Sequence, residues 1–194
     1  MIHERFHYLS SFRPNSLSFG LKTIKESRLA SLVTLSPFDL GHVIHELPYE
    51  VNESNVLVVS RVFCFDWVPL NTVSYMMGQI YKQVRLMRPD VKMLLTYINP
   101  NLAFTGASLK ASNWFFFGYE AGTRYAYIDK EYITDRELVR HYSTANPSRL
   151  QMKLQNRFEV SRIQLDPLQL YAYFIDKKLY AQHTEGFQFE FQRP

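Results

Sequence analysis

Residues 56–118 pass through an apolar strand, a Pro-Asn turn, an amphipathic helix, a second apolar strand and a loop that opens into another helix. The first strand is Val56–Phe65, the turn Trp67-Val68-Pro69-Leu70-Asn71, and the helix about Thr72–Arg88. The second strand is Met93–Ile98, and the loop Asn99–Thr105 leads into Gly106-Ala107-Ser108. Val73, Met76, Met77, Ile80, Val84 and Met87 recur at the helical period, and this stripe reads as core. Asn71 stands at the N-cap position, and Pro89-Asp90 stops the helix. This order belongs to α/β proteins, which place ligands at the carboxyl ends of their strands. There the free amides of a helix start hold an anion.

The flanking segments set the class of sheet. Ser16–Lys25 alternates weakly and reads as a strand, Glu26-Ser27 as a turn, and Arg28–Ser36 as the antiparallel partner. Asp39–Asn55 reads as an irregular surface excursion. Gly106–Asn113 is long enough for two helical turns. Trp114–Tyr119 and Thr123–Asp129, joined by Glu120-Ala121-Gly122, read as a hairpin. Tyr132–Tyr142 reads as a helix capped by Thr134 or Asp135, and Ser143–Ser148 as a loop. Leu150–Asn156 reads as a short helix and Leu168–Asp176 as a last aromatic strand, while the residues beyond show no clear period. The expectation is a mixed α/β sheet with antiparallel strands flanking a parallel pair. Its core spans 1–130, and a helical and strand extension over 131–194 packs on it.

Of 194 residues, 46% are hydrophobic and 15% aromatic, enough for one packed core. No stretch approaches the ~18 uninterrupted apolar residues of a membrane span. The N-terminus lacks a basic-then-apolar signal pattern. The single cysteine, Cys64, excludes an internal disulfide, and within a strand it reads as a small buried hydrophobe rather than a reactive thiol. These features point to a cytoplasmic setting with no membrane. A formal charge of +4 suits a polyanionic partner without demanding one. Lys82, Arg85 and Arg88 share one helix, and Arg136, Arg140, Arg149, Lys153, Arg157 and Arg162 follow; dispersed cations of this kind read first as a solvated face.

Several residue types carry chemistry. Arg61 lies among apolar neighbours, so its guanidinium calls for a carboxylate, a carbonyl or a ligand anion. Tyr97 ends a strand, where its phenol is either a proton donor to a leaving group or a satisfied core hydroxyl. The amides of residues 71–74 and the Ser74 hydroxyl are anion donors if the turn is open. Trp67, in the turn, and Trp114 are candidates for stacking a base or adenine ring, with core packing the better reading of Trp114. His7 is either a general base or an ordinary surface histidine. His42, His45 and Glu46 have metal-site spacing only on a helix, and nearby Pro48 argues against one, so no metal ligand is assigned.

The order of elements resembles the GNAT acyltransferase fold. Within it the chain looks most like the Mom family, phage-type proteins that modify adenine in DNA. The resemblance runs from about Phe6 to Asp129, with a weaker echo near Leu168–Lys178. It is carried by His7-Tyr8 with Ser10, Ser60-Arg61, Pro69-x-Asn71-x-x-Ser74, Thr96-Tyr97, Thr105-Gly106, Ala111-Ser112-Asn113-Trp114 and Gly118. Ordinary GNAT enzymes have a glycine-rich turn after the central strand for the coenzyme A pyrophosphate. This chain has none there, a departure typical of Mom-like proteins. Asn99 and Leu109 stand where Mom members often carry Asp and Tyr, and neither can act as an acid or a base.

The resemblance implies a transferase that modifies a nucleobase, most plausibly adenine in DNA, with acetyl-CoA, another acyl-CoA or a related small carrier as donor. Tyr97, His7, Tyr8 and Ser74 are then the catalytic candidates. Arg61, Asn71, Ser74, Asn99, Gly106 and Ser108 are the donor contacts, and Trp67 and Trp114 the substrate contacts. Two alternatives stay open: an N-acyltransferase for a small amine or protein, and a domain that binds nucleic acid or a partner without turnover.

Overall fold

The computed structural model describes residues 15–39, 43, 47–120, 124–133 and 135–184. His7, Tyr8, Ser10, His42, His45 and Glu46 lie outside them. The described strands are β1 (Leu17–Lys22), β2 (Leu29–Pro37), β3 (Val56–Cys64), β4 (Met93–Ile98), β5 (Phe115–Glu120), β6 (Arg124–Ile128), β7 (Glu131–Ile133), β8 (Phe158–Gln164) and β9 (Leu168–Phe174). The helices are α1 (Thr72–Met87), α2 (Ala107–Lys110), α3 (Asp135–Tyr142), α4 (Pro147–Leu154) and α5 (Lys177–Thr184). The chain divides into two units. One holds the described residues of Met1–Ile98, Gly106–Gly118 and Leu170–Pro194, and the other those of Asn99–Thr105 and Tyr119–Gln169.

Six strands form one sheet in the order β1-β2-β3-β4-β9-β5. β1, β2 and β3 are antiparallel neighbours, and β3 and β4 are the expected parallel pair. One face is covered by α1, which buries Met76, Met77, Ile80, Tyr81 and Val84 against Val33, Leu35, Leu57, Val59 and Leu94. The predicted stripe holds, except that Met87 at the last turn is exposed and Tyr81 joins the buried set. The other face packs Val56, Val58, Met93 and Leu95 with Phe38, Leu47, Val51, Leu170 and Phe174. The first hairpin forms as expected, with β1 ending at Lys22; Thr23 N–H donates to Arg28 O at 2.9 Å, and Arg28 N–H donates to Thr23 Oγ1 at 3.1 Å.

The second unit holds an antiparallel sheet, β7-β6-β8, over a core of Ala126, Leu138, Leu150 and Phe158. Here several expectations fail. β5 and β6 do not form a hairpin: β5 neighbours β9, and β6 lies between β7 and β8. Ala121 and Gly122, read as its turn, lie outside the described residues; β5 and β6 belong to different sheets because partners distant in sequence win over the adjacent one. Tyr132 and Ile133 belong to β7, so the following helix begins only at Asp135. Pro147, read as part of a loop, opens α4, where a missing N–H costs nothing. Asn146 caps that helix by accepting from Arg149 N–H at 3.2 Å. β8 and α5 carried no recognised pattern.

Candidate functional site

At the carboxyl end of β3 the chain turns through Pro69 and Asn71 into α1. Asn71 adopts φ 68°, a left-handed conformation that asparagine tolerates better than most residues. Its side chain makes no capping bond, so its role at the helix start is that of a backbone hinge rather than the side-chain cap read from sequence. Thr72 turns inward, donating both N–H (3.3 Å) and hydroxyl (2.6 Å) to Pro69 O. The Ser74 hydroxyl and the Tyr75 N–H each donate to Asn71 O at 2.9 Å. That leaves the Val73 and Ser74 amides with no acceptor among the described residues. They sit at the positive end of a 16-residue helix dipole.

These atoms border a cleft of about 290 Å³. Cys64 lines it from β3, Pro69, Asn71, Thr72, Val73 and Ser74 from the turn and α1, and Ala107, Ser108 and Ala111 from the α2 segment. The Ser74 hydroxyl has committed its proton to Asn71 O, so toward a ligand it offers lone pairs rather than a donor. Cys64 is half-buried, and burial pushes its thiol above the ordinary range against the opposing pull of Ser31. Gly106, with φ 70°, precedes α2; a Cβ there would lie 2.9 Å from the Tyr171 hydroxyl. Glycine is what lets the α2 segment sit against that buried ring.

The predicted residues divide. Asn71, Ser74 and Ser108 meet at the cleft, and Gly106 adjoins it. Arg61 is only 4% exposed, with Nη1 donating to Ser60 O at 2.5 Å, the carbonyl partner its burial demanded. It lies opposite Thr34, on the face away from α1. Tyr97 packs against the cluster on that far face, with its hydroxyl buried, whereas Ile98 turns toward α1. Asn99 belongs to the second unit, where its Oδ1 accepts from Asn101 N–H and Nδ2 at 3.0 and 2.9 Å. Trp114 is 5% exposed; its indole N–H donates to the Tyr81 hydroxyl oxygen at 2.5 Å, and burial raises that phenol's pKa. Trp67 is exposed, stacked on Phe65 and under the Arg28 guanidinium. Sequence reasoning missed Cys64, Ala107 and Ala111 as cleft residues.

β3 and β4 stay paired only from Val56–Met93 to Val58–Leu95. A bond from the Thr96 hydroxyl to Val59 O at 2.9 Å is the last link, and Ser60 to Cys64 continue without a β4 partner in the register. The strands therefore part at their carboxyl ends. The coenzyme A that a GNAT fold implies would bring a pyrophosphate to this turn. Two free amides, no lining cation, no glycine in the turn and a volume near the bottom of the usual ligand-pocket range do not make a pyrophosphate cradle. They fit one anionic or carbonyl oxygen.

Element order, parted strands and cleft together define a GNAT-like α/β protein. The chain belongs to the Mom protein family, whose sequence model matches residues 1–188. No protein of curated function matches the sequence. Solved structures similar to it include a GNAT-family acetyltransferase from Bacillus anthracis, at 8% identity and TM-score 0.46, covering 81% of this chain and 66% of that one. Arabidopsis thaliana NAA60 in complex with acetyl-CoA matches at 9% identity and TM-score 0.46, covering 82% and 76%. Spermidine N-acetyltransferase from Vibrio cholerae in complex with CoA and spermine matches at 5% identity and TM-score 0.46, covering 85% and 68%. Likenesses this distant add nothing to the element order itself.

Proposed function

We propose that this protein is a transferase that modifies a nucleobase, adenine in DNA being the foremost candidate, with an acyl carrier as donor that brings a single anionic or carbonyl oxygen, and not a pyrophosphate, to the turn before α1. The observation that carries the reading is the pair of free amides at the start of α1, facing an open cleft at the end of the central strand in a Mom-family chain. In this reading Val73 and Ser74 N–H hold one anionic or carbonyl oxygen of the donor, and the Ser74 oxygen accepts from a neighbouring donor atom. Tyr97 and His7 are the proton-transfer candidates; the short β3–β4 pairing supports a passage between the cleft and the face that carries Tyr97. A base in a duplex has to leave the stack to be reached.

The test is mass spectrometry of nucleosides from cells with and without the expressed protein. A new modified nucleoside that disappears in Tyr97→Phe, with folding intact by circular dichroism, is the expected result. Ser74→Ala should lower turnover roughly tenfold, on the scale of losing one positioned hydrogen bond. Unchanged nucleosides in a competent host overturn the reading.

A further inference from the structure

A second surface of the first unit has the chemistry of a nucleic-acid contact. Phe63, Phe65 and Trp67 form an aromatic ladder along and beyond the end of β3, with centroid distances of 4.8 Å between the first two rings and 5.9 Å between the last two. The Arg28 guanidinium lies 4.2 Å from the Trp67 ring centroid. Arg28 closes the β1–β2 turn, which also carries Lys22 and Lys25; all three are exposed and form no ion pair among the described residues. Glu26 and Asp66 are the acids of the same stretch, so cations outnumber anions. Between the cations Ile24 is fully exposed at the tip, 101% of its reference area.

We propose that this turn and the Trp67 ladder bind a nucleic-acid strand at an unstacked base. Lys22 and Lys25 would contact phosphates, Arg28 would swing from the Trp67 ring to a phosphate and leave that face to a base, and Ile24 would serve as the apolar wedge at the opened step. Each group suits that partner: aromatic faces stack bases irrespective of sequence, cations follow the backbone, and aliphatic tips part neighbouring bases. An acidic peptide would satisfy the cations but leave the ladder and Ile24 without a purpose. The surface lies outside the cleft and needs no turnover to act.

The experiment is a fluorescence titration of the full protein with single-stranded oligothymidylate. Trp67 and Trp114 are the tryptophans of the chain, and Trp114 is buried, so base stacking quenches Trp67. Saturable quenching is expected, lost in Trp67→Phe while binding persists. Trp67→Ala should weaken binding roughly five- to a hundredfold. Replacing Lys22, Lys25 and Arg28 together by Ala should lower the salt slope by about two. No binding, quenching retained in Trp67→Phe, an unchanged salt slope, or full competition by polyglutamate each overturns the proposal. A protein that binds through this surface yet modifies no base sinks the proposed function alone. Native base modification with Trp67 and the three cations replaced sinks this inference alone.

Discussion

Toward α1 the six-stranded sheet presents Val33, Leu35, Leu57 and Val59, none more than 5% exposed. On the other side the same three-strand region presents a chain of hydroxyls. Ser16 Oγ meets Ser36 Oγ at 2.8 Å, Ser36 meets Ser60 at 2.6 Å, and Ser18 meets Thr34 at 3.0 Å, with Arg61 buried beside them. Apolar packing is non-directional and tolerates sliding, whereas hydroxyl chains reward one register. The far face therefore fixes where β2 and β3 meet, and the near face supplies most of the burial. The candidate residues divide in the same way, with Asn71 and Ser74 at the near-side cleft and Arg61 and Tyr97 on the far side.

One residue separates the two faces. Thr34 pairs with Arg61 but Leu35 pairs with Val59, so Ser60 is an extra residue, a β-bulge. Before it the odd-numbered Leu57 and Val59 face α1; after it the even-numbered Val62 and Cys64 do. Exchanging Arg61 and Val62 (Arg61→Val with Val62→Arg) would put the guanidinium on the apolar face and the valine among the hydroxyls. Burying an unpaired guanidinium costs several kcal/mol, of the order of the whole stability of a small domain. Loss of the cooperative unfolding transition in urea is the expected outcome. Deleting Ser60 should instead keep every later residue on its own face and cost only about 2 kcal/mol, for the lost Ser36 bond and the displaced carbonyl partner of Arg61. Equal damage from both changes would show that the bulge does not set the division.

This bulge also marks where the sequence stops being legible. The α1 stripe could be read because six apolar residues repeat at the helical period, and β3 and β4 because they are apolar runs beside a proline turn. Asn71 and Ser74 could be placed from that turn, and Ser108 only from the family resemblance at Gly106-Ala107-Ser108. Cys64 could not, because simple alternation from Leu57 and Val59 aims it away from α1, and Ser60-Arg61 has no glycine or proline to betray a bulge. Nor could the place of β9 between β4 and β5, a pairing of strands far apart in the chain. β8 mixes one buried residue with a largely exposed strand, so it lacks the period that would have marked it.

A smaller change probes the far face directly. Ser36 is fully buried and joins the hydroxyls of Ser16 and Ser60. Ser36→Ala should cost about 1–2 kcal/mol, since both neighbours lose a partner while being only half-buried themselves. The midpoint of urea unfolding measures it. On the near face, Met77→Ala at a fully buried position should cost about 2–5 kcal/mol through cavity formation. If the hydroxyl loss equals or exceeds the methionine loss, the far face carries stability as well as register, and the contrast drawn between the faces fails.

The mildest effect lies in the cleft, at Cys64. Two influences oppose each other there. The positive end of the α1 dipole favours a thiolate, and burial favours the thiol. The net shift is upward, with burial the larger cause and the Ser31 bond acting against it. An ordinary thiol is about one-tenth thiolate at pH 7.5. Cys64 should therefore hold less, and iodoacetamide should alkylate it more slowly than a model thiol at that pH. The rate should climb to its plateau at a higher pH than for the free thiol, and Ser31→Ala should move that rise higher still. A rise at or below the model thiol's would mean that the helix end outweighs burial, making the cleft wetter and more electropositive than the packing around Cys64 indicates. The oxygen-accepting role of the Val73 and Ser74 amides would then gain strength, and the near face would be apolar only up to the cleft's edge.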